Sequence, residues 1–313
     1  MVALWIFALL SGAAVITWGA DKFTEYLGPA ASRLGVSSFA LALLLAGAEP
    51  EELVTAIIAA VRGSPGIALG DVIGANVTIC LVALGVGSII APLPFSQRVM
   101  RYAMSGLPLA AICAIFAWSG QLDRWKSAVL VLCYAAFVGT IWSIEHHPPT
   151  LGETEFSHSE EKRNESWGAL LWVLLGVLAM MGGATLLVEA VRRITHVESA
   201  QTRIGLTVVG FATGFELVVL AWRAARRGAS EAVVAAVVGS FSYNVTMTLG
   251  AAVLARPLRL TDAASIHIPF LAMIASLAIV VLLAARRSRL SRTDGLLLLS
   301  LYPIFVFLAR SNR

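Results

Sequence analysis

The sequence predicts an all-α membrane protein with ten transmembrane helices in two inverted five-helix repeats, and three observations carry that expectation. The first is composition: 58% of the 313 residues are hydrophobic and only 13% are charged, where a soluble domain carries charge on about a quarter of its residues. The second is arrangement. Apolar residues come in blocks long enough to span a bilayer, separated by charge clusters, as membrane helices do. The third is an internal repeat, with five blocks before a polar stretch from Glu145 to Ser166 and five after it.

Taken in order, the first block, 3–19, lacks the positively charged lead of a secretory signal and is long for one. It reads as a retained first span. Blocks 36–61 and 66–92 follow, then 102–119 and 126–143 beyond the pair Arg98 and Arg101. The second half contributes 167–190, 204–222, 230–255, 264–284 and 294–309. Arg223, Arg226 and Arg227 precede its third span, and Arg286, Arg287, Arg289 and Arg292 precede its fifth. Trp5, Trp18, Trp118, Trp125, Trp142 and Trp167 stand near span ends, where indoles anchor at the interface. The expected organisation is a first half over 1–144, a polar loop over 145–166 and a second half over 167–313.

Basic residues at span ends account for the net charge of +4, so it is no nucleic-acid signal. A small Lys and Arg excess in alternate loops favours an external N-terminus. Cys80, Cys113 and Cys133 fall within apolar blocks without zinc or disulfide spacing, and read as small buried hydrophobes.

The two halves share landmarks. Glu52-Leu53-Val54 matches Glu216-Leu217-Val218, Arg62-Gly63 matches Arg227-Gly228, and Gly74-Ala75 matches Gly239-Ser240. Leu84-Gly85 matches Leu249-Gly250, and Pro92-Leu93 matches Pro257-Leu258. From glutamate to the last proline is 40 residues in one copy and 41 in the other. An odd number of spans per half turns the second half upside down relative to the first. Transporters built this way bind their substrate near the midplane, between the copies.

Chemistry concentrates in 47–52 (Gly-Ala-Glu-Pro-Glu-Glu) and 210–216 (Gly-Phe-Ala-Thr-Gly-Phe-Glu). An ionised side chain at a helix centre costs about 2.5–3.5 kcal/mol on insertion scales, so it faces a cavity or a partner. Helix breakers at that depth free backbone carbonyls to line a site. Carboxylates beside freed carbonyls suit a hard cation, because calcium and sodium take oxygen ligands. Glu52 and Glu216 are the principal candidates. No Lys or Arg lies within six positions of Glu216. Glu49 is expected one turn back on the same face as Glu52, with Glu51 pointing elsewhere. The competing reading places Glu49, Glu51 and Glu52 at a solvated span end. A second polar cluster opens the next span of each copy, 70–76 (Gly-Asp-Val-Ile-Gly-Ala-Asn) and 239–244 (Gly-Ser-Phe-Ser-Tyr-Asn). Close helix packing explains Gly74, Ala75, Gly239 and Ser240. Asn76, Ser242 and Asn244 read equally as interhelical hydrogen bonders and as ion contacts.

This pattern resembles the calcium/cation antiporter superfamily, which includes sodium/calcium and proton/calcium exchangers. In that family each half carries G-T-S-x-P-E, followed about 20 residues later by G-S-N-x-x-(N/D). The first signature falls on 47–52 with Glu52 as principal ligand, and its second part on Gly74-Ala75-Asn76. In the other half Glu216 is the matching ligand and Thr213 takes the serine position. Gly239-Ser240 begins the second part and Asn244 ends it. Ala48, Glu49 and Glu51 depart from the first signature, and Phe211, Ala212 and Phe215 from its counterpart. Ile79 and Phe241 depart from the second part.

The resemblance implies an alternating-access antiporter exchanging calcium for sodium, with Glu52, Glu216, Glu49, Thr213, Ser240, Asn76 and Asn244 as the candidate ion ligands. The alternative is proton-coupled divalent-cation exchange, for which the extra Glu49 and Glu51 speak. No cofactor is expected beyond the transported calcium, sodium or protons. Expected partners are membrane lipid and inorganic cations, not nucleic acid, with a monomer the expected state and the cell membrane the expected location. An enzyme is not expected, since no nucleophile-base arrangement stands out. His146, His147 and His158 in the central loop lack a metal-site spacing and read as a solvated linker. The glycosylation triplet Asn164-Glu165-Ser166 falls inside under the chosen orientation.

Overall fold

The computed structural model describes residues 2–33, 49–145, 167–227 and 230–311. Among them, nine helices are long and apolar enough to cross a membrane. Of the expected span 36–61, residues up to 48 lie outside the described part. So do the three central-loop histidines and the glycosylation triplet.

The first half runs α1 (Val2–Arg33), α2 (Pro50–Val61), α3 (Pro65–Ile90), strand β1 (Leu93–Pro94), α4 (Gln97–Ala117), β2 (Gln121–Leu122) and α5 (Arg124–Glu145). The second half runs α6 (Trp167–Ile194), α7 (198–213), α8 (Phe215–Arg227), α9 (230–255), β3 (Leu258–Arg259), α10 (Ala264–Ala285), β4 (Arg289–Leu290) and α11 (Arg292–Ser311). Helices α2 and α3 begin where the sequence supplies a proline, Pro50 and Pro65, whose fixed φ suits a first turn. Gly63, at φ 74°, turns the chain between them. Two helices outrun their apolar blocks. The charged extension of α1 is held by a Lys22–Glu25 ion pair of 2.7 Å. The start of α4 is capped by Ser96, which accepts from the Val99 amide at 3.4 Å, so Arg98 and Arg101 are helical rather than loop residues.

The repeat is visible in the backbone. π-helical turns interrupt α3 at Ile79–Ala83 and α9 at Asn244–Thr248, at matching places in the two halves. The short strands are exchanged between halves: β1 pairs antiparallel with β4, Leu93 opposite Leu290, and β3 with β2, Leu258 opposite Leu122. Beside each ribbon an amide reaches across to a turn, Phe95 N to Ser288 O at 2.9 Å and Leu260 N to Gly120 O at 2.8 Å. Both turn residues have positive φ, 51° at Ser288 and 70° at Gly120.

Repeat-equivalent α1 and α6 lie against each other in opposite directions. A Cβ on Gly12 would meet the Gly183 carbonyl at 2.8 Å, and one on Gly19 the Gly176 carbonyl at 2.7 Å. Glycine spaced by seven on both helices therefore sets their separation. The antiparallel course of two equivalent helices is the inversion that the odd span count predicts.

Helices α3 and α9 form the centre. Their apolar stretches are 78% and 89% buried, against 22–50% for the other candidate spans. On the outer helices large apolar side chains stay exposed, among them Phe7, Ile115, Leu132, Leu174, Leu282 and Phe307. Water-facing helices do not present such surfaces at this length; lipid-facing ones do. The chain is an integral membrane protein.

Candidate ion-binding site

The site begins with close helix packing. Gly66, Gly70 and Gly74 line one face of α3 at four-residue spacing and meet α7 backbone to backbone. A Cβ on Gly70 would meet Leu206 N and Thr202 O at 2.8 Å, and one on Gly210 would meet Ala75 N at 2.5 Å. Gly74 is thus a packing residue. The close approach carries Asp71 of α3 to Thr213, the last residue of α7, whose hydroxyl donates to Asp71 Oδ1 at 2.8 Å. Thr213 Oγ1 also lies 3.2 Å from the Val209 carbonyl, at the end of a π-helical turn, Gly205–Val209. Asp71 Oδ2 has no hydrogen-bond partner among the described residues, and Asp71 is fully buried.

Across the site, α2 presents the acidic cluster. Glu52 is 0% exposed, Glu51 2% and Glu49 7%. The solvated-end reading is therefore excluded for all three. Glu49 does not occupy a helical turn behind Glu52, as expected from sequence. It is the N-cap of α2, in extended conformation (φ −105°, ψ 94°), because Pro50 takes the first helical position. The cap geometry still leaves Glu49 acting on Glu52 more strongly than Asp71 or Glu51 does. Glu51 is buried with its neighbours. Neither Glu52 oxygen receives a hydrogen bond from a hydroxyl, amide or cationic group among the described residues.

Between α3 and α9 the amides meet. Asn244 Nδ2 donates to Asn76 Oδ1 at 3.2 Å and lies 3.4 Å from Ser240 Oγ. Thr248 Oγ1 donates to Asn244 Oδ1 at 3.1 Å, while Asn76 Nδ2 reaches the Phe241 carbonyl at 3.5 Å. Asn76, Ser240 and Asn244 thus form a continuous buried polar layer joining the halves. Ser242 bonds back to its own helix, through Val238 O at 3.2 Å. Tyr243 is buried edge-on to Tyr134, 5.2 Å between ring centroids, within electrostatic reach of Glu51, Glu52 and Glu49.

Glu216 sits apart. It lies in the first turn of α8, just past a break at Gly214, and is half-buried. Helix α8 packs against the π-helical turn of α3, as α2 packs against that of α9. Among the described residues, no three His, Cys, Asp or Glu side chains converge to hold a metal alone. A cation here would need amide, hydroxyl or carbonyl oxygens to complete its shell.

Asp71, Tyr243 and Thr248 are absent from the ligands expected from sequence. Asp71 carries the same signal as Glu216, a carboxylate inside an apolar block. The repeat hides it, since its counterpart in the second half is Ala236.

Comparison with known proteins agrees with this architecture. The family model described as "Sodium/calcium exchanger protein" matches residues 4–143 and 168–310. The chain is similar to the putative antiporter CaxA of Alkalimonas amylolytica, at 24% identity over the whole of both chains. It is also similar to the uncharacterized membrane protein MJ0091 of Methanocaldococcus jannaschii, at 24% identity over 98% of each. The sodium/calcium exchanger MaX1 of Methanosarcina acetivorans is 30% identical over 95 residues, 30% of this chain and 27% of that one. Among solved structures, the sodium-calcium exchanger NCX_Mj soaked with 100 mM Na+ and 10 mM Sr2+ superposes with a TM-score of 0.64. That match has 22% sequence identity and covers all of both chains.

Proposed function

Because the chain belongs to the sodium/calcium exchanger protein family, we propose that it is a secondary active antiporter exchanging calcium for sodium across the cell membrane by alternating access. The observation that carries this reading is Glu52, a carboxylate fully buried in a membrane helix, on which the charges of Glu49, Asp71 and Glu51 act among the described residues. Such a group is costly unless a cation occupies the site. The amide layer of Asn76, Asn244 and Ser240 supplies oxygens beside it at the junction of the halves. Glu216 and Thr213 supply oxygens from the second half. Calcium and sodium compete for these ligands, so loading one ion excludes the other and couples their fluxes. No covalent step is involved.

Reconstitution into proteoliposomes tests the reading. Glu52→Gln and Glu216→Gln are each expected to abolish sodium-driven calcium flux, and full activity in either would overturn the assignment. Proton coupling is the second reading, favoured by the carboxyls gathered around Glu52. Calcium movement under a pH gradient in sodium-free medium would decide for it.

A further inference from the structure

We propose that Asp71 and Thr213 form a cation position of their own, for a monovalent coupling ion such as sodium, beside the Glu52 carboxylate. This rests on the antiporter reading above and deepens it. Asp71 is 0% exposed on a helix at the centre of the membrane domain. Its Oδ1 is held by the Thr213 hydroxyl at 2.8 Å, and its Oδ2 has no partner among the described residues. A buried polar atom without a partner is costly, the more so when charged, and a cation at Oδ2 would offset that cost.

The chemistry of the place selects the ligand. Thr213 commits its proton to Asp71, which leaves its oxygen lone pairs to face a cation. One carboxylate and one hydroxyl are hard oxygen donors. Asp71 belongs to no group of three His, Cys, Asp or Glu side chains that could hold a metal among the described residues. A divalent ion there would remain undercharged, whereas a monovalent ion is balanced by one carboxylate. Asp71 is among the charges acting on Glu52, a like-charge repulsion that a cation beside both carboxylates offsets. Ala236 fills the matching position of the second half, so the position is single and the two halves are chemically unequal.

Asp71→Asn tests this, since the amide oxygen can still accept from Thr213 while the charge is gone. In proteoliposomes the half-saturating sodium concentration for calcium flux is expected to rise by about tenfold or more. The Hill slope for sodium is expected to fall by about one. Equilibrium calcium binding without sodium should stay within about threefold of wild type. Thr213→Val, which removes the second oxygen, should weaken sodium in the same direction, and Thr213→Ser should not. Unchanged sodium dependence in Asp71→Asn overturns the proposal, as does a parallel loss of calcium binding. If the wild type shows no sodium-driven flux, the antiporter reading fails instead. Binding of sodium-22 to the purified protein then decides the site: loss in Asp71→Asn supports it, retention overturns it.

Discussion

At the scale of single residues, the site is built from polar groups that the apolar surroundings make expensive. Thr213 is the clearest case, because its hydroxyl donates to one oxygen of a buried carboxylate on another helix at 2.8 Å. Thr213→Val keeps the volume and removes the donor, so Asp71 Oδ1 loses its partner and joins Oδ2 in having none among the described residues. The cost is that of a buried unsatisfied group, about 1–3 kcal/mol. Thr213→Ser retains the donor and should cost less than about 1 kcal/mol, chiefly for the lost methyl. Thermal unfolding in detergent, in sodium-free buffer, checks the difference; equal midpoints for the two variants would show that the bond carries no stability. The carboxylates themselves were legible in sequence, since Glu52 and Glu216 stand in apolar blocks with no nearby base. Their relation was not. Whether Glu49 reaches Glu52 depends on Pro50 starting the helix, and whether Asp71 meets Thr213 depends on a face of α3 stripped to glycine.

At the scale of elements, the two ribbons show how a repeat diverges without losing its backbone. Gly120 and Ser288 make the same left-handed turn and offer their carbonyls to Leu260 and Phe95. A Cβ at Gly120 would stand 2.9 Å from Ala263 Cβ and 3.3 Å from Leu260 Cβ, at φ 70°. Gly120→Ala therefore combines left-handed strain of about 1–2 kcal/mol with a clash, and should destabilise by at least that much. Ser288→Gly relieves strain and loosens the unfolded chain, two effects of about 1 kcal/mol that oppose each other. Its melting temperature should stay near wild type. Opposite signs or equal shifts for the pair would refute the account. The helices around these turns were legible from apolar blocks, because a bilayer demands continuous length. Their ends were less so. Charged residues extend α1 and α4 past the hydrocarbon-length blocks, where helix propensity and capping rather than hydropathy decide.

At the scale of the whole molecule, the inversion reduces to a few reciprocal contacts: exchanged ribbons, an amide layer between α3 and α9, and the glycine seam of α1 on α6. The repeat landmarks between Glu52 and Pro92 made the inversion legible, yet the seam escaped notice. Gly12 and Gly19 match Gly176 and Gly183 by the same offset that relates Glu52 to Glu216. Glycines in apolar blocks carry no chemical signal until a partner backbone appears against them. The seam also bears on exchange. It brings the two helices together backbone to backbone at the glycines, with Ile16, Met180 and Leu187 packed beside them, whereas α3 and α9 are tied by hydrogen bonds. If access alternates by movement of α1 and α6 against that fixed centre, a side chain placed in the seam should impair movement before it impairs binding. Gly183→Leu would drive a side chain into the Gly12 carbonyl and the Ile16 backbone, forcing the helices apart at an overpacking cost of about 1–3 kcal/mol. Calcium flux in proteoliposomes should then fall by about tenfold or more, while calcium binding to the purified protein changes by less than about threefold. Flux at the wild-type rate would show that the seam does not take part in exchange. Loss of binding in step with flux would place its role in holding the site together.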